Sequence, residues 1–113
     1  MGTTIKQMQK SIHENAKAHG WHDKESDDIP TKLLLIHSEV SEATEIARMP
    51  DFDPLAYHFE TNGKPEGFRF ELADIVIRVL DLAAKCGIEL EHAIERKEEF
   101  NETRPIRHGG KRF

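Results

Sequence analysis

From Glu71 to Lys85 the sequence admits one local structure and leaves little choice about its surroundings. The polar side chains in this stretch are Glu71, Asp74, Arg78, Asp81 and Lys85. At about 100° per residue they share one narrow arc of a helix. Everything else, from Leu72 and Ala73 to Ala83 and Ala84, is apolar all the way round. A helix of this kind is surrounded by other protein. Read alone, the polar arc is a strip of solvent contact with Asp74–Arg78 and Asp81–Lys85 as i,i+4 ion pairs.

A second acidic pair alters that reading. Glu39-Val-Ser-Glu42 repeats the spacing of Glu71-Leu-Ala-Asp74, and residues three apart on a helix share a face. Leu35, Glu39, Glu42 and Ile46 fall at i, i+4, i+7 and i+11, so these acids continue an apolar stripe. Carboxylates in such a row repel one another and lose hydration unless something positive sits between them. With 21 Asp and Glu in the chain, a single pair at this spacing arises easily by chance. Two pairs, each beside a strongly apolar face, favour a metal site. Four oxygen donors, Glu39, Glu42, Glu71 and Asp74, suit Mg²⁺ or Mn²⁺.

The chain of 113 residues is expected to form one domain, 1–113, with one modest core. Its net charge of −5 argues against a general nucleic-acid binder. The lone Cys86 excludes an internal disulfide and a four-cysteine zinc site, which points to a reducing cytoplasm. Met1–Lys10 mixes charge and polarity, unlike a signal peptide, and no apolar run approaches the ~20 residues of a membrane span. No repeat, linker or low-complexity stretch is found.

The expected fold is all-α: four helices in a bundle-like arrangement and no convincing strand. Helix one runs from about Thr4 to His19 and stops at Gly20. Trp21 to Ile29 reads as a loop. Pro30 suits the first turn of helix two, which continues to about Arg48. Met49 to Lys64 carries Pro50, Pro54, Asn62 and Gly63 and reads as a long, partly irregular connection. Helix three starts near Pro65 or Glu66 and stops at Gly87. Helix four spans roughly Glu89 to Thr103 and is ended by Pro105.

Helix four supplies Lys97, Asn101 and Arg104 at i, i+4 and i+7, and the tail adds Arg107, His108, Gly109, Gly110, Lys111 and Arg112. For any one of these residues a solvated helix face with a basic tail is sufficient explanation. Together with an acidic metal cluster, they point to a ligand with several negative charges, whose oxygens Lys and Arg would hold.

At these residues the sequence resembles the MazG-like nucleoside triphosphate pyrophosphohydrolases, the all-α group that includes dCTP and dUTP pyrophosphatases. The family pattern, E-E-x-x-E, a spacer, then E-x-x-D, is similar to Ser38-Glu39-Val40-Ser41-Glu42 followed by Glu71-Leu72-Ala73-Asp74. Lys97-x-x-x-Asn101-x-x-Arg104-Pro105-x-x-His108-Gly109-Gly110-Lys111 resembles the closing signature of small phage and bacterial members. The resemblance covers roughly Leu33 to Lys111. Ser38 departs from it, standing where the family has its leading Glu, so that acid's role is vacant or passes to Glu45.

The resemblance implies cleavage between the α- and β-phosphates, giving a nucleoside monophosphate and pyrophosphate. It implies one or two Mg²⁺ or Mn²⁺ ions on Glu39, Glu42, Glu71 and Asp74, with Glu39 or Glu42 as the base. Lys97, Asn101, Arg104 and Lys111 would grip the outer phosphates. Trp21, His22, Phe52, Tyr57, Phe59, Phe68 and Phe70 lie where a base could stack, with Trp21 the expected substrate-binding residue among them. Guanine nucleotides are the first expected substrates, with dCTP or dUTP as the alternative. A homodimer or homotetramer with sites near subunit contacts is expected, in a bacterial cytoplasm or a host's if phage-encoded.

Two other architectures place acids on helices in this way. A ferritin-like di-iron protein needs a Glu-x-x-His on each of two helices, and only Glu89-Leu-Glu-His92 has that form. A non-catalytic helical oligomerisation or partner-binding module would treat the acidic rows as salt-bridged surface. The seven histidines show no metal-ligand spacing and are read as surface residues, with His22-Asp23 in a polar loop and His37 and His58 within reach of a ligand.

Overall fold

A computed structural model describes residues 2–23 and 28–104. Among them are four helices and one small hairpin, in the order α1 (Ile5–Ala18), α2 (Ile29–Ala47), β1 (Tyr57–Phe59), β2 (Pro65–Gly67), α3 (Phe68–Lys85) and α4 (Leu90–Glu102). The molecule is predominantly helical, as expected.

Local chemistry explains the helix ends. Thr4 and Gln7 form a reciprocal capping box, the Thr4 side chain accepting from Gln7 N–H and the Gln7 side chain from Thr4 N–H. Asp28 caps α2 by accepting from Thr31 N–H, with Pro30 in the first turn. Gly20 and Gly87 take φ of +77° and +75° directly after α1 and α3, a left-handed conformation that ends a helix.

The hairpin corrects the expectation of a strandless connection and of a helix starting at Pro65. Tyr57, His58 and Phe59 pair antiparallel with Gly67, Glu66 and Pro65. Pro65 is tolerated because each strand of a two-stranded sheet is an edge. Asn62 and Gly63 form the turn, where Gly63 N–H donates to Glu60 O and Lys64 N–H to the Asn62 side chain. Helix α3 therefore begins at Phe68.

Helix α3 is central, touching α1, α2, α4 and β2, with its largest contact on α2. The buried set among the described residues is small: Ala16, Ala43, Leu80 and Ala83, with the polar Gln9 and Asp81. Gln9 bridges α1 to the α3–α4 turn, its amide donating to Ile88 O and accepting from Leu90 N–H. The expectation that α3 is enclosed on all sides holds only in part. Leu72 and Val76 are about half exposed, as is Leu33 on α2, and Leu34 beside it is exposed further still. No helix among the described residues is long and apolar enough to cross a membrane.

The hairpin meets α3 at Gly67, whose φ is +144°. A Cβ there would lie 2.7 Å from Ala56 O and 2.9 Å from Tyr57 Cβ. Gly67→Ala should thus lower stability by about 1–3 kcal/mol, measured by urea unfolding. An unchanged midpoint would mean that the junction relaxes without cost.

Candidate functional site

The packing of α2 on α3 brings the two acidic pairs together. Carboxylate oxygens of Glu39, Glu42 and Glu71 lie within 4.8 Å of one another. Glu71 Oε2 is buried and lacks a hydrogen-bond partner. Its carboxyl is pushed above the usual range, first by desolvation and then by the charges of Glu42, Asp74 and Glu39. Asp74 is raised as well, by desolvation and then by Glu39, although much of its residue surface is open. Glu42 is raised mainly because it shares a hydrogen bond with Glu39, whose charge adds to the effect. An all-oxygen donor set with a buried oxygen that nothing satisfies fits a hard divalent cation.

Two cations moderate the cluster: Arg78, expected as an ion-pair partner of Asp74, and Lys64, which the sequence did not single out. Arg78 Nε donates to Glu39 Oε1 at 2.9 Å, so its partner is on α2 and not Asp74 on its own helix. The guanidinium also lies 5.1 Å from the centre of the Trp21 ring, which brings Trp21 beside the site. Lys32 fixes that residue from α2, its Nζ donating to Trp21 O at 2.7 Å. Lys64 pairs with Glu66 at 3.0 Å and lowers the proton affinity of Asp74. Finding Lys64 from sequence needed the hairpin, since that turn carries it back towards α3.

Other expected residues do not converge. Glu45 pairs with Arg48 at 3.2 Å on an exposed surface, away from the vacant leading acid's role. Lys97 and Asn101 are exposed on α4, and Arg104 is exposed just after it. Lys97 Nζ and the Arg104 guanidinium lie 5.4 and 5.8 Å from the Phe100 ring. The charges that chiefly shift Glu42, Glu71 and Asp74 come from α2, α3 and the hairpin, with none from α4. Lys111, with Arg107, His108 and the tail glycines, lies outside the described residues. The aromatic residues pack mainly on one another: Phe52 on Phe68, and Tyr57, Phe59 and Phe70 together, with Arg69 over Tyr57. His37 is exposed, and His58 pairs with Glu60 at 3.5 Å.

Asp81 corrects two expectations. It is 2% exposed, so it is no part of a solvent strip. Its Oδ1 lies 2.8 Å from His13 Nδ1 and 2.9 Å from His22 Nε2, so these histidines are not simply surface residues. Buried, a carboxylate requires such partners. Comparison with family models, with curated proteins and with solved structures gave no match.

The acidic cluster has a consequence for stability. Glu42, Glu71 and Asp74 bind protons more tightly folded than unfolded. They therefore make stability fall as pH rises from the unfolded carboxylate value, about 4, through the raised folded values. Without divalent metal, Glu71→Gln should raise the Tm near neutral pH by a few degrees. The same change should shrink the stability gained on acidification to about pH 5. Thermal unfolding at both pH values measures this, and an unaltered or lower neutral Tm would contradict it.

Proposed function

We propose that the chain is a metal-dependent nucleoside triphosphate pyrophosphohydrolase of the MazG-like all-α type, spanning 1–113 as one domain and acting on cytoplasmic nucleotides. It would cleave the α–β bond of (d)NTPs to (d)NMP and pyrophosphate, with guanine nucleotides first. The observation that carries this reading is the partnerless buried oxygen of Glu71 within the carboxylates of two helices. Unpaired acids in that position are costly in the empty protein and useful in a metal-loaded one.

Glu39, Glu42, Glu71 and Asp74 would hold the cation, and Mg²⁺ or Mn²⁺ in that place would supply charge neutralisation for the polyphosphate and a more acidic water. Glu39 is tied to Arg78, whereas Glu42 is more open and already shares a proton position with Glu39. Glu42 is accordingly assigned as the base and Glu39 as a ligand. Trp21 offers a face to the nucleobase, and Arg78 beneath it keeps the ring oriented. Lys97, Asn101, Arg104 and Lys111 grip the outer phosphates and stabilise the departing pyrophosphate.

Exposed Leu33, Leu34, Leu72 and Val76 supply apolar surface for a homodimer or homotetramer on the same helices that carry the acids. In such an assembly Lys97, Asn101 and Arg104 of a second copy would complete the site.

A panel of ribo- and deoxynucleoside triphosphates with product analysis is the test. dGTP should give dGMP and pyrophosphate in equal amounts, and EDTA should abolish turnover. Glu42→Gln should reduce kcat about 10²-fold or more. Orthophosphate release with accumulating diphosphate would refute the assigned bond. Absence of turnover on every nucleotide, with oligomerisation intact, would favour the partner-binding module.

The shared site has its own test. Lys97→Ala should weaken both binding and turnover. Mixing and reassembling Lys97→Ala with Glu42→Gln protein should restore a fraction of wild-type activity, because some hybrid sites then contain both native residues. A mixture as inactive as its components would place the whole site within one chain.

A further inference from the structure

We infer that His13, His22 and Asp81 form a second metal site, specific for Zn²⁺ or a similar late first-row divalent ion and separate from the acidic cluster. The three residues come from α1, the segment after α1, and α3. Both imidazole nitrogens address a single carboxylate oxygen, at 2.8 and 2.9 Å, and the three donor atoms lie within 4.8 Å of one another. The rings meet edge-on, with centroids 5.1 Å apart and planes at 63°, so both nitrogens point inward without stacking.

Donor chemistry separates this site from the first. Two imidazole nitrogens and one carboxylate oxygen suit Zn²⁺, whereas Mg²⁺ and Mn²⁺ suit all-oxygen sets. A tetrahedral ion with bonds of about 2.0–2.1 Å needs donors roughly 3.3 Å apart. The two nitrogen–oxygen separations need to open by only about half an ångström, which side-chain rotation supplies. Without metal, both rings must donate an N–H to the same oxygen, and one cation replaces those two hydrogen bonds.

Access and surroundings also fit. The side chains of Asp81, His22 and His13 are 3%, 11% and 20% exposed, so the site is enclosed with one open edge at His13. That edge borders a groove of about 390 Å³ between α1 and the end of α3, lined by Gln9, Lys10, His13, Lys17, Ala84 and Gly87. A three-ligand site reached from a groove leaves a fourth position for water. His22 adjoins Trp21, so the ion would clamp onto α3 the segment that presents the Trp21 ring to Arg78. Binding there does not depend on whether the acidic cluster hydrolyses nucleotides.

The experiment uses metal-stripped full-length protein carrying Glu42→Gln and Asp74→Asn, which disables the acidic site. Co²⁺ titration followed by visible absorption, and Zn²⁺ titration by calorimetry, should each show one equivalent per chain, with micromolar or tighter affinity and a raised Tm. Millimolar Mg²⁺ should not compete. His13→Gln and His22→Gln should each weaken binding at least tenfold. Imidazole ¹⁵N spectra of the wild-type protein give a readout free of any folding defect: Zn²⁺ should shift Nδ1 of His13 and Nε2 of His22. The proposal is overturned if neither ion binds saturably, if both histidine variants bind as the parent does, or if those two nitrogens do not respond.

Discussion

Repulsion between the acid-bearing faces of α2 and α3 is the constraint around which the rest of the site is arranged. The largest helix contact in the molecule is the one that presses Glu39 and Glu42 towards Glu71 and Asp74. Apolar side chains on both helices drive that contact, and the carboxylates are carried along at the same helical period. Arg78 is the main internal counterweight. It stands one turn beyond Asp74, reaches across to Glu39 and carries Trp21 on its guanidinium. One side chain thus couples the charge balance of the cluster to the position of the aromatic residue beside it. Yet Glu71 Oε2 is still left without a partner, so the balance within the chain is incomplete.

Much of this was legible because it is periodic or local. Helical spacing identified both acidic pairs. Thr4, Gly20, Pro30 and Gly87 marked helix ends through capping and turn chemistry that acts within a few residues. The hairpin was missed because three-residue strands give too little alternation to register, and Pro65 also suits a helix start. The Asp81 cluster was missed for a different reason. His13 and His22 lie 68 and 59 residues from Asp81, and no local pattern announces a tertiary meeting over that separation. The one available signal was an acid two turns beyond Asp74 on a helix too apolar for a solvated strip.

The same distinction explains where α3 departed from expectation. Its composition correctly demanded burial on most sides, but one chain supplies only part of the cover. Leu72 and Val76 remain open near the acidic end, while Leu80 and Ala83 are enclosed further along. Periodicity shows which faces must be covered and is silent on whether the cover is the same chain or another copy. The charges acting on the acidic cluster likewise come from α2, α3 and the hairpin and not from α4. A second copy, as proposed, would cover the apolar faces and bring the cations of α4 to the acids.

Helix α3 then carries two carboxylate centres of opposite character. Glu71 and Asp74 meet further carboxylates, and every added negative charge raises the demand for a hard cation. Asp81, about 10 Å along the axis from Asp74, meets two imidazoles that satisfy it by hydrogen bonding even without an ion. The first centre is unstable when empty; the second is comfortable when empty. If both centres take metal as proposed, donor type alone would make them differ: loss of a hard cation would leave repulsion, whereas loss of a zinc-like ion would leave a hydrogen-bonded clasp. Trp21 and His22, adjacent in sequence, contact the two centres separately, through Arg78 and through Asp81. Whatever holds His22 in place therefore also limits where Trp21 can lie over Arg78, and through Arg78 it bears on how firmly Glu39 is held.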